Sequence, residues 1–423
     1  MAAEAAQSQG ARVLILARGM GSLPLTSGCI DGLGYFPGDS MVPLSSPLSA
    51  LAQLCSNHPQ HPYAKVGSER ILSALAHFQD ICRSMGMPYT GNFASNFLLP
   101  TSVGTFHPTC LIPETVKGGD LSISGSVFLL GLEGFRDFSP YFAAENLNIL
   151  YCRGKIASSF RAGVLGRPDL AGKAINSLTL AKAFDEECFR EKFARQARPF
   201  LHPGDKLGVP AVLGFHSSLE AWTDLEEKMG TQVFEVPTPP PSVPGIRLYN
   251  LLKIHLQGRG VRQVVGPRLL KPNVQFRRLE GFSLGDSKGS PVYKASAFVL
   301  ATGKFVGGGL DSERGRIYET LLGLPVRYPL DRKRWFNPRL LAARGQPFNE
   351  FGVEVDENLQ PVDLRGQVVH SNLFAAGGII AHADSMSEKS GGGIAISTGS
   401  LAGSLAAIFA SSNKLTAEDA EKI

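Results

Sequence analysis

Short apolar runs that end in glycine recur along the chain and predict buried strands followed by tight turns. In NLFAAGG, the apolar residues 372–376 lead into Gly377. FVLATG repeats the pattern, with a strand at 297–301 that stops just before Gly303. Ligands in open α/β sheets bind at the carboxyl ends of strands. The two runs therefore predict one binding site built by neighbouring strand ends.

Three further glycines, Gly391, Gly392 and Gly393, open a long run of apolar and small residues that predicts a helix. Glycines at a helix start bring bare backbone N–H groups up to a ligand, and the helix dipole adds positive potential there. This favours contact with a phosphate or with the electron-rich edge of a ring. The alternative is a glycine-rich connection that packs closely for reasons of fold alone.

The N-terminal segment has the pattern of the second half of a βαβ nucleotide-binding unit. An alanine-rich helix at 2–6 is stopped by Gly10, and a buried strand follows at 13–16. The first strand and its GxGxxG loop would precede Met1, so either the start was assigned late or the loop has been lost. The strand runs into LARG, with no carboxylate to hold an adenosine ribose. Arg18 either meets a phosphate or lies solvated at the strand end.

The middle of the chain, residues 120–236, predicts an inserted α/β domain. The pattern gives a strand at 126–131, a helix at 136–147, a long charged helix at 174–198 and a strand at 209–215.

This insertion divides the chain into segments 1–119, 120–236 and 237–423. The last of these begins with PTPPPSVPG at 237–245, an extended connector because proline fixes φ and donates no hydrogen bond. Leucines and isoleucines at helical spacing predict a helix at 246–256.

Composition excludes several functional classes. A net charge of +5 over 423 residues is too weak to indicate nucleic-acid binding, and the six cysteines are far apart with no CxxC. No metal site is predicted: His58 and His61 lack a third ligand, so HPQHPY is interpreted as a loop that leads into the amphipathic helix at 68–85. No apolar run is judged long enough to span a bilayer, and no signal-peptide pattern is present, which favours a cytoplasmic location.

Two loops carry candidate chemistry. In TSGCIDGLG, the hydroxyl of Ser27 stands beside the flexible Gly28, so this loop can lie against a flat ring, or it is an ordinary turn. The segment 327–344 is basic. Its charged residues are Arg327, Arg332, Lys333, Arg334, Arg339 and Arg344, against Asp331 alone. This segment is either an anion site, an acidic-partner face or a solvated loop.

Several motifs together resemble the B subunits of the bacterial anaerobic glycerol-3-phosphate dehydrogenases, flavoproteins of the two-dinucleotide-binding-domain group. The matching stretches are LTSGCIDGLG at 25–34, HPYAKVG at 61–67, PTPPPSVPGIRL at 237–248, FVLATGKFVGGGL at 298–310, EFGVEVDENLQP at 350–361, and NLFAAGG with SGGGIAISTGSLAG within 372–403. The resemblance runs nearly end to end. It implies an α/β, Rossmann-like FAD/NAD(P)-binding fold with the inserted α/β domain, lacking the first strand and glycine loop.

The resemblance also implies a function. Such a protein works with a catalytic A subunit, oxidising glycerol 3-phosphate to dihydroxyacetone phosphate. A membrane-bound iron–sulfur C subunit passes the electrons towards the quinone pool, with fumarate or nitrate as terminal acceptor. The B subunit is associated with FMN, and the absent carboxylate near Arg18 also favours FMN over FAD. The protein would then be peripheral at the inner membrane through a partner. No catalytic residue is identified.

The residues expected to line the flavin are Arg18, Ser27, Gly28, Gly303, Gly377, Gly391, Gly392 and Gly393. Two departures support a different hypothesis. The glycine loop is missing, and Gly378 stands where related flavoproteins place an acid for the ribityl chain. The alternative is a non-redox scaffold that has lost the flavin and docks the catalytic subunit to the iron–sulfur subunit; a free-standing flavin oxidoreductase for another substrate is a third hypothesis.

Overall fold

The computed structural model describes residues 1–38, 40–170, 172–266, 269–284, 292–342 and 345–413. Its helices are α1 Ala2–Ser8, α2 Pro47–Asn57, α3 Pro62–Val66, α4 Ser68–Ser84, α5 Pro140–Cys152, α6 Ser177–Phe184, α7 Glu187–Ala197, α8 Ser218–Met229, α9 Val243–Gly258, α10 Ser385–Glu388 and α11 Gly391–Ser412.

The strands follow the same chain order. They are β1 Leu14–Ala17, β2 Tyr89–Gly91, β3 Phe97–Pro100, β4 Phe106–Thr109, β5 Leu111–Pro113, β6 Gly125–Leu132, β7 Ser158–Leu165, β8 Asp205–Pro210, β9 Val233–Val236, β10 Arg262–Val265, β11 Leu269–Gln275, β12 Arg278–Leu284, β13 Val292–Lys294, β14 Phe298–Leu300, β15 Leu310–Glu313, β16 Arg316–Glu319, β17 Val326–Arg327, β18 Gly352–Val353 and β19 Leu373–Ala375.

The chain forms two compact units. The first comprises Met1–Ser22, Asp31–Phe78 and Lys253–Ile423, and the second comprises Leu23–Ile30 and Gln79–Leu252. The predicted insertion at 120–236 lies within the second unit, which extends further along the chain in both directions.

The first unit contains two parallel strand pairs, β1 with β10 and β14 with β19. Helix α11 packs against β14, β19 and α1. Small residues permit the last contact, because a Cβ on Gly403 would overlap the backbone of Ala2 in α1. The sequence predictions for α1, β1, β14, β19 and the start of α11 at the three glycines are confirmed to within two residues.

Helix α11 corrects one expectation. At 22 residues it is long and apolar enough to cross a membrane by length and composition, whereas no run was expected to qualify. However, 56% of its most apolar window is buried inside the protein. Its serines, alanines and glycines lie against other elements of the first unit, as in the core helix of a globular domain.

The second unit is built on a four-stranded parallel sheet in the order β7-β6-β8-β9. Strand β6 reads GSVFLLGL, and its residues from Val127 onward are buried, as expected when helices cover both faces of a parallel sheet. Phe128, Leu129, Leu147 and Phe234 belong to the core that results. The predicted strand at 126–131 is therefore confirmed.

Two predicted elements of this unit are wrong in extent. The single helix at 174–198 is two helices, α6 and α7, because Glu186 between them is extended. Asp185 stabilises the break, since its carboxylate accepts the main-chain N–H groups of Phe215 at 2.9 Å and Ser217 at 3.2 Å. The strand predicted at 209–215 is β8, which ends at Pro210.

Boundaries also shift at prolines. The helix predicted at 136–147 is α5, which begins at Pro140, a residue that suits the first turn because its missing N–H would be unpaired there. The proline connector predicted to reach residue 245 is shorter, because α9 already begins at Val243 with Pro244 in its first turn. In both places proline marks a helix start rather than an interruption.

A buried ion pair ties α9 to β9 in the second unit. The guanidinium of Arg247 contacts both carboxylate oxygens of Glu235 at 2.8 and 3.0 Å, and also donates to the carbonyls of Leu213 and Gly214. Thr115 donates to the same carboxylate at 2.7 Å. Because every charged atom has a partner, the pair anchors the first turns of α9 to β9 and to the loop at 213–214.

We predict that Arg247→Met lowers the free energy of unfolding of the second unit by about 3 to 5 kcal/mol, because the buried Glu235 carboxylate loses its counter-ion. Urea denaturation followed by tryptophan fluorescence measures this. Arg83→Met is the control, since the Arg83–Asp80 pair is exposed and its loss should cost less than about 1 kcal/mol. Equal effects of the two substitutions would contradict the prediction.

Candidate functional site

The carboxyl ends of β14 and β19 lie side by side. Leu300 is the register partner of Ala375, and the N–H of Ala376 donates to the carbonyl of Leu300 at 2.9 Å. The following glycines consequently meet: a Cβ on Gly378 would lie 3.9 Å from the Cα of Gly303. The structure thus brings together two of the strand ends that the sequence predicts to share a site.

Helix α11 begins beside these strand ends. The N–H of Gly377 donates to the hydroxyl of Thr398 at 2.8 Å, and a Cβ on Gly377 would lie 3.8 Å from the Cα of Ala395. Gly391 is exposed and Gly392 is half-buried, and their amides precede the first intrahelical hydrogen bonds. We call the end of β14, the Gly377 turn and this first turn of α11 the strand-end site.

Gly393 has a packing reason to be glycine. Its N–H donates to the carbonyl of Asp31 at 2.8 Å, and any Cβ would overlap the hydroxyl of Tyr63. That hydroxyl donates to the carbonyl of Gly32 at 2.5 Å. Gly393 therefore packs the loop at 31–34 against α11, and its amide is already hydrogen-bonded. Of the three glycines, Gly391 and Gly392 are the candidates for contact with a ligand.

Thr302 contributes an unpaired polar group to the strand-end site. Its hydroxyl oxygen is buried and has no hydrogen-bond partner among the described residues. Gly309 packs against this hydroxyl, since a Cβ at that position would be 2.5 Å from the Thr302 Oγ1. A buried hydroxyl left unpaired costs stability, so it is a position where a ligand atom would complete the hydrogen bonding.

Arg18 follows the last residue of β1, and its side chain reaches towards the glycine loop that follows β14. Its Nη1 would lie 3.9 Å from a Cβ on Gly308 in that loop. Arg18 is exposed. The predicted cation is thus close to the strand-end site and is available to a phosphate.

Ser27 and Gly28 belong to the second unit and already have partners there. The hydroxyl of Ser27 accepts the N–H of Cys29 at 3.2 Å, and the carbonyl of Gly28 accepts the hydroxyl of Tyr89 at 2.6 Å. Gly28 has a positive φ of 81°, and a Cβ would lie 2.6 Å from that of Pro244. Local packing therefore requires glycine at this position.

An ionic cluster of Lys304, Glu350, Asp384 and Glu388 stands next to the strand-end site and was missed in the sequence. Lys304 follows Gly303 directly, and its ammonium donates to the carbonyls of Asn349 and Ala383, the latter at 3.1 Å. Burial lowers the pKa of Lys304 to about 8, although the three carboxylates oppose the shift. The available signal was HADSMSEK, two acids four residues apart between two glycine motifs.

His61 supports the cluster from α3. Its Nδ1 accepts the N–H of Tyr63 at 3.1 Å, so the proton is on Nε2, which donates to the Glu388 carboxylate at 3.2 Å. Burial alone would raise the pKa of Glu388, but the hydrogen bonds from His61 and Ser390 keep it below its usual value. His61 caps α3, a five-residue helix that the sequence did not predict, and the amphipathic helix expected at 68–85 is the separate α4, Ser68–Ser84.

The basic segment predicted at 327–344 is described as far as residue 342. Arg344 lies outside the described residues. Arg327 pairs with Glu354 at 3.7 Å. Among the residues described, no group of three or more His, Cys, Asp or Glu side chains is arranged to hold a metal ion.

We predict that Lys304 makes the free energy of unfolding increase as the pH rises from 8 to 10. Its folded pKa of about 8 lies below that of an unfolded lysine, so the folded state holds fewer protons between pH 8 and 10. The gain should be on the order of 3 kcal/mol, at about 1.4 kcal/mol per pKa unit.

Urea denaturation at pH 7, 8, 9 and 10, compared between wild type and Lys304→Met, isolates this contribution. The exposed Lys155→Met is the control and should follow wild type. Parallel curves for wild type and Lys304→Met would contradict the prediction.

Comparison with known proteins identifies the family of this chain. The FAD binding domain family matches residues 1–394. The probable B subunit of an anaerobic glycerol-3-phosphate dehydrogenase from Halobacterium salinarum is 32% identical over 412 residues, covering 95% of this chain and 94% of the relative. The B subunit of the Vibrio cholerae enzyme is 30% identical over 407 residues, covering 94% and 91%, and that of Pectobacterium atrosepticum is 28% identical over 391 residues, covering 92% and 91%.

Among solved structures, the 3-ketosteroid-δ4-(5α)-dehydrogenase of Rhodococcus jostii matches 68% of this chain and 97% of its own, with 12% identity and a TM-score of 0.25, too low a likeness to carry an argument. The sequence relatives establish the family, because the similarity covers nearly the whole length of both chains. The chain belongs to the FAD binding domain family and, within it, to the family of B subunits of the anaerobic glycerol-3-phosphate dehydrogenases.

Proposed function

We propose that this chain is the flavoprotein subunit of an anaerobic glycerol-3-phosphate dehydrogenase. The complex would oxidise glycerol 3-phosphate to dihydroxyacetone phosphate and pass the electrons towards the quinone pool, with fumarate or nitrate as terminal acceptor. The observation that carries the proposal is the strand-end site, in a chain that matches B subunits of this dehydrogenase over nearly its whole length.

The residues of the strand-end site fit a flavin. Gly303 and Gly377 both have φ near +70° and present backbone without side chains, which lets a flat ring approach closely. The Thr302 hydroxyl offers one hydrogen bond to a ring edge, and the amides of Gly391 and Gly392 offer positive potential to a carbonyl or phosphate. When bound, the flavin supplies the redox chemistry, accepting electrons in pairs and releasing them singly.

The ionic cluster lies at the edge of the strand-end site and holds the surrounding loops in place. Lys304 joins the turn after β14 to the carbonyls of Asn349 and Ala383, so its role is to position loops around the ring. Arg18 supplies a cation beside the glycine loop after β14. We assign no general base, because a protein that relays electrons needs none.

We further propose FMN as the flavin. The argument is the end of β1, where the exposed Arg18 follows Ala17 and no carboxylate is available to bind an adenosine ribose. The family name points instead to FAD. Chromatography of the flavin released by heat denaturation discriminates the two, and recovery of FAD would overturn this part of the proposal.

The partners proposed are a catalytic A subunit, which would oxidise the alcohol, and a membrane-bound iron–sulfur C subunit. The support is that the relatives are named as B subunits, which implies a complex of several chains. The protein would be cytoplasmic and peripheral at the inner membrane through a partner. Co-purification of the three subunits from cells that express them together tests this assembly.

A non-redox scaffold is the second candidate. Two observations favour it: the amide of Gly393 is used by Asp31, and Ser27 and Gly28 have packing partners of their own. Gel filtration of the purified chain, free of the other subunits, decides between the candidates. Flavin absorbance that elutes with this chain supports the flavoprotein; a chain that elutes without flavin absorbance but restores activity to the other two subunits supports the scaffold.

Thr302→Val is predicted to weaken flavin binding by about tenfold, the value of one hydrogen bond at roughly 1.4 kcal/mol. Folding stability should not fall, because the hydroxyl it removes is unpaired among the described residues. Fluorescence titration of the apoprotein measures the affinity.

Thr238→Val is the matched control for this substitution. Its hydroxyl is likewise buried and unpaired in the described part of the chain, but it lies in the second unit. It should leave flavin affinity unchanged. A loss of affinity shared equally by both variants would remove Thr302 from the site.

Substitutions at two neighbouring glycines of α11 should distinguish an effect on flavin binding from an effect on packing. Gly392→Val crowds the half-buried first turn of the helix, so flavin content should fall with little change in melting temperature. Gly393→Ala forces a Cβ onto the Tyr63 hydroxyl and should lower the melting temperature. Normal flavin content in Gly392→Val would exclude this turn from the site.

A further inference from the structure

Residues 326–342 carry most of the excess positive charge of the chain. They hold five basic residues and one acid, a net charge of +4, whereas the whole chain has +5. The acid, Asp331, is used locally, because its carboxylate accepts the N–H of Lys333 at 3.0 Å. Arg327 is paired with Glu354. Four exposed cations have no carboxylate partner in the described part of the chain: Arg332, Lys333, Arg334 and Arg339.

Large apolar side chains are interleaved with these cations and face solvent. Leu330 is 91% exposed, Leu340 is 81% exposed and Leu341 is 95% exposed. Phe336, close to Arg334 in sequence, is 53% exposed. A cluster of leucines this exposed is unfavourable in water and marks a surface that contacts a protein or a membrane.

The surrounding backbone is anchored, so the exposure is built into the fold. Trp335 is buried, and its indole N–H donates to the carbonyl of Pro329 at 2.7 Å. The side-chain amide of the buried Gln346 accepts the N–H of Asn337 at 2.8 Å and donates to the carbonyls at 339 and 340, at 3.0 and 3.1 Å. These hydrogen bonds hold the backbone of residues 337–340 in place, so that Leu340 and Leu341 face outward. We call residues 330–341 the arginine–leucine face.

We propose that the arginine–leucine face binds directly to an anionic lipid bilayer. The leucines and Phe336 would enter the headgroup region, and the four cations would lie against lipid phosphates. Exposed apolar side chains flanked by arginine and lysine are what this interface attracts. Arginine is also enriched at protein interfaces, so the test below separates a bilayer from a protein partner. The inference goes beyond the proposed function, which attaches this chain to the membrane only through another protein.

Vesicle sedimentation with the full-length chain, free of other subunits, tests the proposal. The probes are vesicles of phosphatidylglycerol and phosphatidylcholine in equal parts, and vesicles of phosphatidylcholine alone. Wild type should bind the anionic vesicles, and less well at high salt. The triple variant Arg332→Gln, Lys333→Gln, Arg334→Gln should reduce the partition coefficient at least about tenfold, as should Leu340→Ser with Leu341→Ser.

Leu364→Ser is the matched control, because Leu364 is also 91% exposed but lies outside the face. It should leave vesicle binding unchanged, and all variants should keep the wild-type melting temperature and flavin content. Absence of wild-type binding to anionic vesicles at low salt would overturn the proposal. So would variants that bind vesicles normally but lose affinity for the other subunits, an outcome that would assign the face to a protein partner.

Discussion

The parallel pairing of β14 with β19 is the constraint on which the strand-end site depends. Its register is fixed at one end by the fully buried Asn372, whose side-chain amide bonds to the N–H and the carbonyl of Leu279 and to the carbonyl of Ser296. With Asn372 held, Leu300 must lie opposite Ala375. The glycines that follow each strand then meet, and α11 can start beside them. A shift of one residue would separate the glycines and point the strand side chains to opposite faces.

The glycines of this region serve two different ends. Gly393, Gly399 and Gly403 let Tyr63 and α1 pack onto α11, so they are required by the fold. Gly303 and Gly377 adopt positive φ at open positions, and this backbone conformation by itself favours glycine. Glycines that look alike in the sequence therefore divide into those needed for packing on α11 and those needed for the turns after β14 and β19. The flavin contact that we propose falls on the second group.

Charge is organised on two scales. At the rim of the strand-end site, Lys304 and the carboxylates of Asp384 and Glu388 hold three loops together. Burial lowers the pKa of Lys304, whereas the pKa of Glu388 is lowered, against the effect of burial, by the hydrogen bonds from His61 and Ser390. At the surface, the arginine–leucine face concentrates cations beside exposed leucines. The first arrangement holds the backbone of the loops beside the strand-end site. The second matches a partner that is both anionic and apolar.

The sequence by itself determined the strands that end in glycine, the turns that follow them and the family, because apolar runs that end in glycine and the quoted motifs are local properties of the chain. It placed β6, β14 and β19, the start of α11 and the amphipathic helix α4 correctly. Only the tertiary structure decided that Asp185 divides one predicted helix into two, since its partners Phe215 and Ser217 are about thirty residues away. It likewise decided that the Thr302 hydroxyl is unpaired among the described residues and that Lys304 shares one cluster with the carboxylates near α10. Burial and partnership depend on residues distant in sequence, and local pattern contains no information about them.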